Sequence, residues 1–599
     1  MASIRRWDRH ARTLDRLEAL SLLHGQRSAR DDKAIRAATR FWLGLQQVLL
    51  LTCYFPFTPT LNPKTGTPGN NPMISLRMKL PLGGVATALL PSPAKRLLVT
   101  VALLGFGGFT PAAVAEVSLP SVFSDHMVLQ RRQANRVWGK AAPGEKVIVT
   151  IGAQSHEATA GADGAWQVML KPMEASSAPV PLVAKGPTNE ITIADVLVGE
   201  VWVVSGQSNM ASGLSQVDGG AAEAQKADHP QIRLLTIPTR GSQTPVWTQP
   251  NARWAVCTPQ TAGRFSAVGY IFAQQIHEAV GVPVGIICNA WAGSRGEAWI
   301  DRKYFEGHEN LLPIVARYDG FEKQMKELEA QGQPVPGTLR SDVTGDDRPA
   351  NAWNGIVASH VGYGIRGVLW YQGEGNAPRG HQYRELFPVL IESWRKEWGQ
   401  GDFPFYWVNL PGNSTENPAL AQNPNPTDSK WAELREAQTM TLAKVKNSAQ
   451  AVAIDLGGNG DLHPRNKKDI GLRLANIALA RDYGMQRPYQ SPAYRAMKAA
   501  SGKITLTFDS PNGRLQTLDG SPLRGFAIAG ADKKFVWADA VVNADGTITV
   551  SSDKVADPVA VRYAWAENPV CNVYDAARLP LTPFRTDDWP GMTVGVLVH

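Results

Sequence analysis

Cysteine is nearly absent. Four occur in 599 residues, Cys53, Cys257, Cys288 and Cys571, and no two form a CxxC pair. A thioredoxin-like redox motif, a cysteine-rich zinc module and a dense disulfide framework are therefore excluded. One bridge among the last three cysteines stays open, because spacing does not choose a pair. His126, His156, His229, His277, His308, His360 and His381 are scattered and form no H-x-x-x-H pair. No helix then presents the two-histidine face of a metal site, and no metal or cofactor is implied. The apolar stretch Leu97–Phe109 is about 13 residues long, short of the roughly 20 that a bilayer-spanning helix needs. Beyond residue 115 there is no excess of positive charge either. Residues 1–115 hold 15 Lys+Arg against 5 Asp+Glu, whereas residues 116–599 hold 46 against 48. The formal net charge of +8 belongs to the leader, and the body carries no electrostatic footprint for nucleic acid.

The leader itself is informative. In "PSPAKRLLVTVALLGFGGFTPAAVAEVSLP" a basic start (Lys95, Arg96) precedes the apolar stretch, and Ala-Val-Ala precedes Glu116. This is the layout of a secretory signal peptide over residues 78–115, with cleavage after Ala115 and a secreted or periplasmic destination. An N-terminal anchor is the alternative. Because such a signal belongs at a chain start, Met73 or Met78 reads as the sensible initiator. The Arg-rich residues 1–77 are a doubtful or disordered leader and do not enter the fold reasoning.

Three patterns follow. Residues 116–195 contain short strand-like segments ("KVIVTI", "WQVML") between turn signals ("APGE", "GADGAW"), as in a small β-sandwich. Residues 491–599 repeat that style. Residues 196–490 alternate strands and helices, which argues for an α/β domain of three αβα layers around a parallel sheet. Strands are expected at Val201–Val204, Val284–Cys288, Gly367–Tyr371, Phe405–Leu410 and Ala451–Asp455, and helices at 266–281, 380–398, 430–446 and 465–483. An insertion at 301–350 carries one charged helix, "GFEKQMKELEAQ", then a polar loop. It is a solvated excursion or a rim for substrate.

Ligands bind at the carboxyl ends of strands in such sheets, so the residues just after each strand matter most. They read "SGQSNM", "NAWAGSRGEAW", "QGEGNA", "PGNSTEN" and "LGGNGDLHP". Gathered at one sheet edge, they supply what acyl transfer needs: a nucleophile, a base, a group that orients the base, and oxyanion donors. Ser208 is the candidate nucleophile, His463 the base and Asp461 its orienter, with Asp455 as fallback. The N–H groups of Ser208 and Gly293 and the side-chain amide of Gln372 are the candidate oxyanion donors. Pro464 is expected to open the following helix. Arg379 and His381 could rim the pocket. Each residue alone reads as an ordinary loop, cap or core residue, and only their joint position at successive strand ends carries the inference.

"GQSNM", "WYQGEGNA" and "DLHPRNKKDIGLRLA", with "LPSVFSDHMVLQR" near the start and "VRYAWAENPVCNVYDAARLPLTPFRTD" near the end, resemble the sialate O-acetylesterase family of the SGNH hydrolases. The resemblance extends over residues 116–590. It implies an SGNH-type sheet, the same Ser208, His463 and Asp461 roles, oxyanion positions at Gly293 and Gln372, and supporting roles for Asn209 and Glu374. It further implies a serine O-acetylesterase acting on acetylated carbohydrate, with no cofactor, no nucleic acid and no membrane partner after signal cleavage. This chain has Asp-x-His where SGNH hydrolases commonly carry Asp-x-x-His, and "NAWAGS" departs from "GG[ST]". The α/β-hydrolase elbow G-x-S-x-G does not fit, since Met210 stands where its second glycine would. Acetylated hemicellulose such as xylan or xyloglucan is the substrate expected from an exported chain with extra β modules. 9-O-acetyl sialic acid is the alternative, and a non-catalytic carbohydrate-binding protein is the rival from another class.

Overall fold

A computed structural model describes residues 116–413, 425–457 and 461–598, so the expected leader and signal peptide lie outside the described residues. The centre is a sheet whose strands are β1 (Glu190–Gly206), β2 (His229–Thr236), β3 (Trp254–Cys257), β4 (Val284–Cys288), β5 (Gly367–Tyr371), β6 (Phe405–Asn409) and β7 (Ser448–Val452). Their spatial order is β7-β6-β5-β1-β4-β2-β3. All neighbours are parallel except the edge pair β2–β3. Every residue of β4, β5 and β6 is buried, as expected of parallel strands covered on both faces.

Four helices provide that cover: α1 (Ala267–Val280), α2 (Gly380–Trp398), α3 (Lys430–Thr441) and α4 (Lys467–Arg481). Helix α1 packs on α4, and α2 on α3. The pleat assigns the pairs to opposite faces. Trp202 of β1 packs its ring on Phe272 of α1. Trp370 of β5 pairs in register with Ser205 and packs on Phe387 and Trp394 of α2. Residues 202 and 205 differ by an odd number, so their side chains leave the sheet on opposite sides. Local chemistry sets the helix starts: Ser266, Ser429 and Asn466 each accept a hydrogen bond from the backbone N–H three residues on. Because Asn466 takes that cap, Pro464 stays in the preceding loop and does not open α4 as expected.

Strand β1 is longer than its apolar core suggests. Its first half pairs with Val128–Gln130 and Ser176–Lys185, and through the latter with Lys146–Ile151 and Gln154–Thr159, so the N-terminal strands and the central sheet are continuous. Asn135–Lys140 and Ala165–Leu170 form a separate two-stranded sheet. The C-terminal strands form two four-stranded sheets, and their core takes in Val452 and Ile454 from the end of β7.

Some expectations change. β2 and β3 were not foreseen, because β2 buries only four consecutive residues and one of them is Arg233. β7 begins three residues earlier than expected. Part of the insertion expected as a polar loop is a helix, Gly337–Thr344, anchored by buried Leu339 and Val343. Cys257, Cys288 and Cys571 are all free thiols. No helix among the described residues is long and apolar enough to cross a membrane.

At the end of β1, Gly206 has φ +134, and a Cβ there would lie 2.1 Å from the Tyr371 carbonyl oxygen. Gly206→Ala should therefore destabilise the fold by about 2–4 kcal/mol, combining backbone strain with overpacking. Urea midpoints of variant and parent, compared at equal m-value, check this.

Candidate active site

β1 lies at the sheet centre, with β4 and β5 on either side. The chain builds one side of the sheet first and crosses to the other after β4. The crevice beyond the carboxyl end of β1 is thus the topological switch point. The turn after β1 enters it, with half-buried Ser208 opening a single helical turn, Ser208–Ala211.

Three bonds hold this turn to its neighbours. The Gln207 N–H donates to Tyr371 O at 3.0 Å, and the Trp291 N–H donates to Gly206 O at 2.9 Å. The Gln207 side-chain oxygen accepts from the Gly373 N–H at 3.3 Å. Polar residues and a glycine suit this segment because the loops after β4 and β5 both bond to it.

The loop after β7 brings in the imidazole. His463 Nε2 lies 2.8 Å from Ser208 Oγ, and Nδ1 lies 3.1 Å from Asp461 Oδ1. The carboxylate accepts the Nδ1–H, which leaves Nε2 to accept the serine hydroxyl. Asp461 also accepts from the His463 backbone N–H at 3.0 Å, so one carboxylate sets both the ring tautomer and the loop. Burial raises the Asp461 carboxyl, but the hydrogen bonds and charge of His463 together outweigh it and hold the group below its ordinary value. His463 and Asp461 remain 39% and 56% exposed, open to a ligand. Asp455, the fallback orienter, is instead clamped by both terminal nitrogens of Arg473 at 2.7 Å.

The remaining candidates divide. Gly293 is exposed with φ +87, on the loop tied down by Trp291. Neither its N–H nor that of Ser208 donates to another described residue. Gln372 is buried, and its amide is engaged within the protein: it donates to Asn376 Oδ1 at 2.7 Å and to Ser294 O at 3.2 Å, and accepts from Tyr383 at 2.9 Å. An oxyanion contact by Gln372 would require exchanging one of these bonds. Arg379 does not rim the pocket, because it is buried in an ion pair with Glu297. His381 lies against the C-terminal tail, its backbone N–H donating to Thr593 Oγ1. The end of the 301–350 insertion does reach the Gly293 loop: Asp347 pairs with Arg295 at 3.3 Å. Burial, against the pull of Arg295, pushes the Asp347 carboxyl up to about 6.

Beneath the exposed chain lies a buried polar layer. Asn209 donates to Glu374 at 2.6 Å and to Leu462 O at 3.2 Å, and accepts from the Lys467 ammonium at 2.5 Å. One amide thus joins the Ser208 turn, the loop after β5 and the residue before His463. A second buried group ties Gln372 through Asn376 to Glu297 and Arg379. Lys467 and Glu297 escaped the sequence reading. The available signals were the Lys467-Lys468 pair in the first turn of α4, only one of which faces solvent, and a lone acid in the apolar "GEAWI".

Burial pushes the Lys467 ammonium down to about 8 from 10.5, with Glu374 and Asp461 opposing. Between those values the unfolded chain retains a proton that the folded chain has released. Stability therefore rises with pH across that window, by up to about 1.4 kcal/mol per pH unit. Lys467→Met should remove this slope, measured as the difference between variant and parent urea midpoints at pH 8, 9 and 10.

The comparisons with known proteins agree with this architecture. The family described as "Carbohydrate esterase, sialic acid-specific acetylesterase" matches residues 198–330 and 351–480. The sialate O-acetylesterase of Mus musculus is 29% identical over 512 residues, 78% of this chain and 93% of that protein. The Homo sapiens sialate O-acetylesterase is 28% identical over 519 residues, 79% of this chain and 93% of that protein. The crystal structure of a carbohydrate acetylesterase from Xanthomonas citri is 35% identical, with a TM-score of 0.68, and the match covers 79% of this chain and 100% of that one. With that structure matched over its whole length and the family model lying over the central sheet and its strand-end loops, the chain belongs to the sialate O-acetylesterase family of carbohydrate esterases.

Proposed function

We propose that this protein removes O-acetyl groups from sugars through a Ser208 acyl-enzyme. The observation that carries the reading is the hydrogen-bonded chain Ser208–His463–Asp461 at the switch point of the sheet. Ser208 Oγ attacks the acetyl carbonyl as His463 Nε2 takes its proton. Asp461 holds the ring and stabilises the imidazolium. The N–H groups of Ser208 and Gly293 receive the developing oxyanion, each such donor being worth roughly 3–4 kcal/mol in general. The imidazolium then protonates the departing sugar oxygen, and the same histidine activates water to release acetate. The buried Asn209 amide keeps the nucleophile turn and the histidine loop in register throughout.

The sugar is the finer question. The family's description and the names of the curated relatives support an O-acetylated sialic acid. Acetylated xylan or xyloglucan presents the same ester, and the reacting residues contact only that ester. Acetate release from 9-O-acetylated sialoglycans against acetylated hemicellulose separates the two.

Ser208→Ala and His463→Ala should each lower kcat/KM on an aryl acetate by about a thousandfold or more, with unchanged urea midpoints. Asp461→Ala should cost less, about tenfold to a hundredfold, because a solvent-screened carboxylate contributes less. Undiminished hydrolysis in either of the first two variants defeats the reading. Sugar binding without hydrolysis in the parent protein would return the chain to the binding-protein class.

A further inference from the structure

A second concave site lies where the C-terminal strands meet the α/β body. It is a cavity of about 480 Å³, within the roughly 300–1,000 Å³ typical of small-molecule sites. None of Ser208, Gly293, Gln372, Asp461 or His463 lines it. Its walls include the aromatic side chains Phe535, Trp565 and Trp589, together with Lys533, Lys534 and Arg562.

The walls are held firmly. The Trp589 segment is pinned to α3: Arg585 bonds Glu436 at 2.7 Å and the Trp589 carbonyl at 2.6 Å, and the Met592 N–H donates to Glu433 at 2.6 Å. Arg562 is buried, paired with Asp587 at 2.9 Å and Asp428 at 2.6 Å, and its guanidinium lies 4.2 Å from the Phe535 ring centroid. The Phe535 and Trp589 rings are half-buried, 5.6 Å apart and inclined at 57°. The Trp565 indole N–H is buried and has no partner among the described residues. The carboxylates of Asp587 and Asp428 neutralise Arg562, but Lys533 and Lys534 are exposed and neither forms an ion pair among the described residues. The Lys533 ammonium stands 5.4 Å from the Trp589 ring centroid, so positive charge sits beside an open aromatic wall.

Inclined aromatic faces offer apolar contact to the C–H face of a sugar ring, and an unpaired ammonium offers a partner for a carboxylate. We propose that this cavity binds a carboxylate-bearing sugar unit of the glycan whose ester is cleaved at Ser208. The inference rests on the proposed sugar-esterase reading and adds the acidic sugar as a recognition element. A sialic acid and a glucuronate side branch share this chemistry.

The test is calorimetric titration of the full chain with N-acetylneuraminic acid, D-glucuronic acid and neutral xylobiose. The paired variants are Trp589→Ala, Trp589→Phe and the double Lys533→Ala/Lys534→Ala. Expected is saturable binding of at least one sugar acid, weakened fivefold or more by Trp589→Ala and restored by Trp589→Phe. The double lysine variant should weaken sugar-acid binding fivefold or more, and aryl acetate hydrolysis should stay within twofold in every variant. Which acid binds more tightly identifies the source. Absence of saturable binding, binding indifferent to the Trp589 and lysine variants, or xylobiose binding as tightly as the acids would each overturn the proposal. Ser208→Ala keeps the outcomes apart: lost hydrolysis with retained acid binding supports both readings. A parent protein that binds acid but never hydrolyses esters defeats the esterase and leaves the cavity standing.

Discussion

The contact between Ser208 Oγ and His463 Nε2 is 2.8 Å long and joins residues 255 positions apart. For it to form, the carboxyl ends of β1 and β7 must open to the same side of one sheet, although β5 and β6 lie between them. The loop after β7 must therefore reach back across two strands. It is steadied by the Asp461 carboxylate, which accepts both the ring and the backbone N–H of His463, and by the Leu462 carbonyl, which accepts from Asn209. Parallel strand order sets the direction of the chain ends, and these bonds determine where the imidazole comes to rest.

The Ser208–His463–Asp461 chain runs from half-buried to exposed, and the layer that positions it is buried. Small polar loops bury little apolar surface, so a close-packed core does not fix them unaided. Here the fixing is done by amides and charges: Asn209 between Glu374 and Lys467, and Asn376 between Gln372 and Glu297. Burying these charges is costly, and burial moves Glu374 up and Lys467 down, each toward its neutral form. Such a network is tolerable only when nearly every polar atom has a partner, and loss of one member strands the others. What it returns is placement: the proposed nucleophile and base, held by buried neighbours, need little reorganisation.

The flanking strands contribute to the same placement. β1 runs unbroken from the N-terminal strands to Gly206, so the Ser208 turn grows from the most widely paired strand of the sheet. At the other end, the C-terminal core takes in Val452 and Ile454, the residues that lead into the histidine loop. Arg435 of α3 donates to the Ala566 carbonyl, binding that module to the body. The aromatic cavity proposed as a sugar-acid site is lined from the same C-terminal strands and from the loop before α3, on this rigid frame.

Much of this was legible in the chain itself. Val284–Cys288 and Gly367–Tyr371 read as strands at their observed bounds, because a strand buried on both faces is a plain apolar run. The polar clusters at the strand ends drew attention to Ser208, His463 and Asp461, which the fold brings together, since the end of a strand is a local feature of sequence. Ser266 and Ser429 are local caps at two helix starts close to where the sequence places them, whereas Asn466, not Pro464, sets the start of α4. Strand β2 was not legible, since the charge of Arg233 within it is met by Asp195, 38 residues earlier. Nor was the buried Lys467, whose partners Asn209 and Glu374 lie on other strand ends. Nor do the sequence neighbours of Gln372 reveal that Ser294, Asn376 and Tyr383 close around it. Periodicity, caps and strand ends depend on residues near in the chain and so can be read from it. The partner of a buried charge or amide is chosen by strand order and packing, and only the folded structure makes that choice.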